Sequence, residues 1–270
     1  MDIVCVGDCG VDHYLPSGEM FFGGITANFA RNARHAFPDE DTVRIISAVG
    51  DDDGAELVLS SLADSGIDCH ISRLRGATPA QYIEVQSNGE KKFVRYEEGV
   101  LKDFHFSAAD RQIISRSDLL VAPVYLQIVG LFDALMAIPV QGWTAIDFAD
   151  FLAYPDFELL ERYIEQIDIG FFGLSNDDDA TIARIADLAG QYDKLFVVTL
   201  GAAGSRAYSG DTRVDCAAEP VEEVVDTTGA GDAFAAGFLS RYCHGYDTLQ
   251  SLAAGAALAA QIIQRLGAGF

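Results

Sequence analysis

Short apolar runs recur along this chain, and each is followed by a stretch with helical spacing. The runs cover residues 3–7, 43–49, 118–121, 144–147, 169–172 and 195–199. They are built almost wholly from Val, Ile, Leu, Phe and Ala, with little alternation of polar residues. A strand that is apolar on both of its sides is covered on both faces, which is the situation of a parallel sheet. Between and after them the spacing predicts helices at 26–37, 53–65, about 126–136, 156–166, 179–190, 230–243 and 248–266. Thr26 after Gly23-Gly24 is a candidate cap, and Gly66 a stop. Strand alternating with helix in this way predicts an α/β fold: a three-layer sandwich around a mostly parallel central sheet. With 270 residues, no repeat and no linker rich in Pro, Gly and Ser, one domain over 1–270 is expected.

One region breaks the rhythm. Residues 80–86 and 91–97 are two β-rich runs separated by Ser87-Asn88-Gly89-Glu90, and Asn-Gly between such runs signals a hairpin. Residues 11–15 form another extended stretch. The expectation is a small inserted sheet made of segments at about 11–22 and 78–98. Such a sheet acts as a lid if it lies beside a ligand, and is an ordinary edge hairpin if it does not.

Charge limits the partners. The chain has 18 Lys+Arg against 41 Asp+Glu, a formal net charge of −23. Nucleic acid and anionic membranes both require a basic footprint, so neither is an expected partner. An anionic small ligand would have to bind against this field. The five Cys are odd in number and form no C-x-x-C, and no His pair has metal-ligand spacing, so free thiols and no zinc are expected. The first residues lack a basic segment before an apolar one, and no apolar run approaches about 18 residues, so a cytoplasmic protein is expected.

The segment richest in chemistry is Asp226-Thr227-Thr228-Gly229-Ala230-Gly231-Asp232-Ala233-Phe234. It follows what reads as an extended run at 222–225 and opens a helix. First-turn amides lack partners within a helix, and the helix dipole adds positive potential there. Small residues let an anion come close, so Gly229, Ala230 and Gly231 are candidates for an anion hole. A bound phosphate would repel Asp232. Either Asp232 is a general base that takes a hydroxyl proton during phosphoryl transfer, or it is a first-turn acid that complements the dipole. The chain has no G-x-x-x-x-G-K-[ST] phosphate loop, and no G-x-G-x-x-G follows its first strand.

The nine-residue segment resembles the D-T-x-G-A-G-D-x-F signature of the PfkB, or ribokinase-like, carbohydrate kinases. Four further stretches resemble that family in register. They are Gly7-Asp8 with Asp12, Gly23-Gly24 with Asn28, Gly50 to Gly54 as a G-x-D-x-x-G turn, and Thr199-Leu200-Gly201 with Gly204. The resemblance implies a ribokinase-like sandwich with a small β lid, and transfer of the ATP γ-phosphoryl group to a sugar hydroxyl. It implies Asp232 as the base and Gly229, Ala230 and Gly231 as the anion hole. Asp12, Gly24 and Asn28 would bind the sugar. Thr199, Gly201, Gly204 and Asn176 would lie along the nucleotide, and Asp226 would help hold a monovalent cation such as K+. The family's N-x-x-E motif, linked to Mg2+, is here Asn176-Asp177-Asp178-Asp179, with Asp179 in place of Glu. Mg2+ usually keeps several waters, and a water can span the missing methylene. Which of the three acids serves the ion stays open.

Within the family, several stretches resemble the fructoselysine 6-kinase branch. These are residues 7–14, Tyr96-Glu97-Glu98-Gly99-Val100 with Asp103-Phe104, and Ala145-Ile146-Asp147-Phe148. That resemblance implies a fructosamine acceptor phosphorylated at O6, whose ammonium group would suit an acidic site wall; Arg95, Glu97 and Glu98 are candidate lid contacts. The rivals are a kinase of an unmodified sugar (fructose, ribose or ketodeoxygluconate) or of a nucleoside, and a non-catalytic binder on the same fold. Family lids often pair across a dimer, so a homodimer through the lid is expected.

Overall fold

The computed structural model describes residues 1–15, 17–85, 91–149, 151, 155–265 and 267–268. In chain order the elements are β1 (Asp2–Val6), β2 (Gly10–Leu15), β3 (Met20–Gly23), α1 (Ile25–Ala36), β4 (Thr42–Val49), α2 (Asp53–Leu62) and β5 (Asp68–Arg73). Then follow β6 (Ala80–Val85), β7 (Lys91–Glu97), α3 (Ala108–Arg116), β8 (Leu119–Pro123), α4 (Val129–Met136), β9 (Trp143–Asp147) and α5 (Phe157–Tyr163). The chain continues through β10 (Ile169–Gly173), α6 (Asp179–Tyr192), β11 (Leu195–Thr199), β12 (Ser205–Ser209), β13 (Thr212–Cys216), α7 (Ala230–Tyr242) and α8 (Thr248–Ile262).

A nine-stranded sheet runs in the order β13-β12-β11-β10-β9-β8-β1-β4-β5. All its pairings from β5 to β11 are parallel; β12 and β13 add an antiparallel edge. Side chains along each strand feed two separate cores. Ile3 and Cys5 of β1 belong to one, which also holds buried residues of α1, α2, α7 and α8. Val4 and Val6 belong to the other, shared with α3, α4, α5 and α6. This double coverage is why the central strands read as unbroken apolar runs.

Strands β2, β3, β6 and β7 form a second sheet, in the order β3-β2-β6-β7. It is assembled from two insertions, one between β1 and α1 and one between β5 and α3, and it closes through the parallel pair β2–β6. β6 and β7 pair antiparallel, as their patterning predicts; the Asn88-Gly89 turn lies outside the described residues. The root of this sheet is fixed by the acids of the Gly50–Gly54 turn. Asp51 accepts the Gly76 amide at 2.9 Å, and Asp52 accepts the Thr78 amide at 2.9 Å while capping α2 through the Ala55 amide at 3.0 Å.

Four details depart from the sequence reading. Thr26 does not cap α1: the helix begins at Ile25 behind Gly24, and Thr26 is its second residue. Residues 222–225 form no strand. Instead, the Val225 and Asp226 amides both bond the Ile263 carbonyl, at 2.7 and 3.2 Å. The helices end earlier than their apolar patterns, at Leu62 and Ile262. Strands β5, β12 and β13 went unpredicted because polar residues interrupt the apolar run in each; β5 and β13 are the two edges of the sheet, and β12 lies next to one of them.

Candidate active site

Sheet order reverses between β1 and β8. From β1 the chain adds β4 and β5 on one side, then builds every later strand on the other. A crevice opens outside the carboxyl ends of parallel strands at such a point. The large cleft of this molecule, about 1130 Å³, lies there. Its walls include Asp8 after β1, Tyr125 after β8, Asp147 at the end of β9 and Thr199 at the end of β11. The small sheet covers it with Asp12, Gln81 and Tyr96, which face one another across paired strands. The glycine-rich start of α7 closes it.

Gly229 precedes α7 with φ +77°, a left-handed conformation that favours glycine. A methyl group there would also stand 2.6 Å from the Ala268 carbonyl oxygen. The Ala230 amide turns back to the Thr227 carbonyl at 3.2 Å. The amides of Gly231 and Asp232 come next in the first turn, where no helical carbonyl precedes them. A methyl on Gly231 would meet nothing within 4 Å, so its face opens directly on the cleft. Asp226 holds the loop from below: its oxygens accept the Thr228 amide at 2.8 Å and the Gly267 amide at 3.1 Å.

Asp232 is buried in the first turn of α7 and lines the cleft. Burial pushes its carboxyl well above the usual range, and Asp147, Asp8 and Asp12 push it further. The Asn28 side chain opposes this by hydrogen-bonding the carboxylate. Asp147 itself is pushed up to about 6 by burial, with the Asp8 charge adding to it and the Ala149 amide, at 2.7 Å, opposing it. Asp8 is also raised by burial, against the donors of α1 that hold it. These are the Ile25 and Thr26 amides, each at 3.1 Å, and the Thr26 hydroxyl at 3.2 Å. Gly24 bends the chain into that contact with φ +101°, and a methyl there would stand 2.8 Å from the Asp8 carbonyl oxygen.

The fold therefore brings Asp12, Gly24, Asn28, Thr199, Asp226, Gly229, Ala230, Gly231 and Asp232 to one cleft. Gly201 and Gly204 sit in the 3-10 turn after β11, beyond the cleft wall. Asn176 lies before α6, where its side-chain oxygen accepts from Arg206 at 2.7 Å; Asp179 opens that helix and is exposed. Sequence reasoning did not name Tyr125, and it met Asp8 and Asp147 only inside stretches that resemble the family, without assigning either a role of its own. Their common signal is position, since each lies at or just past the carboxyl end of a parallel strand. Among the described residues no cluster of three or more His, Cys, Asp or Glu side chains is placed to hold a metal ion, and no helix is long and apolar enough to cross a membrane.

The model of the pfkB family carbohydrate kinases matches residues 1–135 and 144–270. The chain is similar to a fructoselysine 6-kinase of Shigella flexneri, 32% identical over 98% of both chains. It is also similar to a fructosamine kinase of Bacillus subtilis, 28% identical over 99% of this chain and 93% of the relative. Among solved structures, Arabidopsis thaliana ribokinase complexed with ribose and ATP superposes with a TM-score of 0.81 at 20% identity, covering 99% of this chain and 93% of that one.

Proposed function

The chain belongs to the pfkB family of carbohydrate kinases, and on that premise we propose that it transfers the γ-phosphoryl group of ATP to O6 of a fructosamine such as fructoselysine. That it is an ATP-dependent sugar kinase follows from the family and from full-length relatives that are kinases. The acceptor is our reading. The observation that carries it is the charge of the cleft. Six aspartates line it, Asp8, Asp12, Asp147, Asp156, Asp226 and Asp232, against one basic side chain among the described residues, Arg95. Arg95 is 57% exposed and pairs with Glu97 at 3.0 Å. A wall of this kind favours an acceptor that carries an ammonium group over a neutral sugar.

The chemistry follows from where the groups stand. Asp12 and Asn28 accept from sugar hydroxyls, and Gly24 keeps the floor free of side chains. Asp232 takes the proton of the O6 hydroxyl as that oxygen attacks the γ-phosphorus. Its raised carboxyl makes it a stronger base than an ordinary aspartate. The anion hole expected at Gly229, Ala230 and Gly231 moves along by one residue in our reading: the Ala230 amide is turned to Thr227, which leaves the Gly231 and Asp232 amides and the dipole of α7 to meet the charge of the transferring phosphoryl group in place of bulk water. Thr199 borders the nucleotide side, with Gly201 and Gly204 in the turn behind it. Mg2+ would neutralise phosphate charge; Asp179, with Asp177 and Asp178 beside it, offers exposed oxygens of the hard type that ion takes. A monovalent cation such as K+ would be held beside Asp226, whose carboxylate supplies oxygen donors of the hard type such an ion takes.

We also read the small sheet as a lid that excludes water from the transfer. Its β7 edge exposes Phe93 at 61% and Val94 at 47%, which supports a homodimer through the lid. We place the enzyme in the cytoplasm, where ATP is supplied. The test is ADP release across fructoselysine, other fructosamines, fructose, ribose, ketodeoxygluconate and adenosine. Fructosamines should be used best; fructose or ribose turning over far better than every fructosamine would refute the acceptor assignment.

A further inference from the structure

Two tyrosines in the cleft have hydroxyl groups that make no hydrogen bond of normal geometry within the protein. Tyr96 comes from β7 of the small sheet, and Tyr125 from the segment after β8. Their rings meet edge to face at 5.3 Å and 89°, joining the small sheet to the main body at the cleft wall. Both hydroxyl oxygens are buried, and neither has a hydrogen-bond partner of normal geometry. The Tyr125 hydroxyl lies within weak hydrogen-bonding reach of the Asp8 carboxylate and of the Tyr96 hydroxyl, so the three form a loosely linked set. A buried hydroxyl left without a well-formed hydrogen bond costs up to about 1–3 kcal/mol, and phenylalanine would pack the same contact without that penalty. Retaining two such hydroxyls on a ligand cleft indicates that the ligand completes them.

The surrounding groups define what that ligand presents. The sugar-facing side of the cleft is rich in acceptors: Asp8, Asp12, Asp147, Asp232 and the Asn28 side-chain oxygen, which is buried and unpartnered. The Gln81 amide nitrogen, a donor facing the same space, is engaged by the Arg95 carbonyl at 2.8 Å. A group that donates hydrogen bonds and carries positive charge matches this set. We infer that Tyr96 and Tyr125, with Asp8 behind them, are specificity-determining residues that receive the protonated secondary amine joining the sugar to its amino acid. The amine N–H groups donate to the phenol oxygens, and the Asp8 charge offsets that of the nitrogen. This inference rests on the fructosamine reading and names the groups that distinguish such an acceptor from plain fructose.

The test compares Tyr96→Phe and Tyr125→Phe with the wild type, using ADP release with fructoselysine and with fructose. The ratio of kcat/KM for fructoselysine over fructose should fall about tenfold in each variant, the scale of one hydrogen bond to a charged group. The fall should lie mainly in KM. The melting temperature of the ligand-free variants should equal or exceed that of the wild type, since a hydroxyl without a well-formed hydrogen bond has been removed. A fall of threefold or more in the ratio supports the inference. A smaller change in both variants overturns it and leaves the fructosamine reading intact, and a lower melting temperature beside an unchanged ratio would show the hydroxyls to be structural. A wild-type enzyme that phosphorylates fructose but no fructosamine would overturn the acceptor reading, and this inference with it.

Discussion

The Asn28 side chain hydrogen-bonds the Asp232 carboxylate, while its own carbonyl oxygen stays buried without a partner. One face of the amide steadies the charged form of the carboxylate we propose as the base, and the other is where we propose a sugar hydroxyl binds. Asp147 acts in the opposite sense, since its charge disfavours ionisation of Asp232. The two neighbours should therefore move the acid limb of the kcat/KM profile in opposite directions. Asn28→Ala removes a donor to the carboxylate and should shift the limb to higher pH. Asp147→Asn removes a like charge and should shift it to lower pH. Profiles of both variants check this, and a common direction would contradict the arrangement.

Asp232→Asn should keep the fold and ATP binding while kcat falls about 100-fold or more, the usual scale for a lost general base. Turnover beside an ATP-binding titration separates the two effects. Near-wild-type turnover would remove Asp232 from the base role.

The glycines of the loop should respond in contrasting ways. Gly229→Ala meets a left-handed backbone and a carbonyl oxygen 2.6 Å away, so it should lower stability by about 1–3 kcal/mol as well as activity. Gly231→Ala meets no protein atom within 4 Å and adds a better helix former, so it should leave the melting temperature unchanged or raised. Its methyl group enters the space assigned to the phosphoryl group, so activity should fall all the same. Thermal melts with activity assays on both variants distinguish a loop that must bend from a loop that must stay open.

Asp147 ties stability to pH. Its carboxyl is pushed up to about 6 by burial, against 3.8 ordinarily. Between those values the folded state holds a proton that the unfolded state has released, so stability falls as pH rises through that window. The penalty is complete above about 6 and absent below 3.8. Asp147→Asn can still accept the Ala149 amide and escapes the penalty. It should be more stable than wild type by on the order of 1–3 kcal/mol at pH 8 and equal to it near pH 4. Denaturant melts at the two pH values measure the difference.

Much of this fold is legible in the sequence because double burial leaves a strong mark. β1, β4, β8, β9, β10 and β11 each read as apolar runs, and all six pair in parallel. The edge strands β5 and β13 carry no such mark, since one side of an edge strand can be polar without loss, and β12 beside the edge is likewise broken by polar residues. The site divides the same way. Asp232 and its glycines are contiguous, so spacing reveals them. Asp8, Tyr96, Tyr125 and Asp147 come from four separate segments, and only the order of strands in the sheet brings them together. The acid triplets look alike in sequence, yet Asp51 and Asp52 anchor the small sheet while Asp177 and Asp179 stand exposed.

The loop before α7 rests on the far end of the chain. The Gly267 amide bonds Asp226, the Ala268 carbonyl lies directly under Gly229, and Asn32 of α1 donates to that same carbonyl at 3.3 Å. A nascent chain of about 225 residues already contains every strand of both sheets, but neither the catalytic turn nor the strap beneath it. Synthesis should thus deliver every strand before the turn we propose as catalytic. Until residues near 268 emerge and dock against α1, the turn we propose to hold the phosphoryl group lacks the strap that supports it.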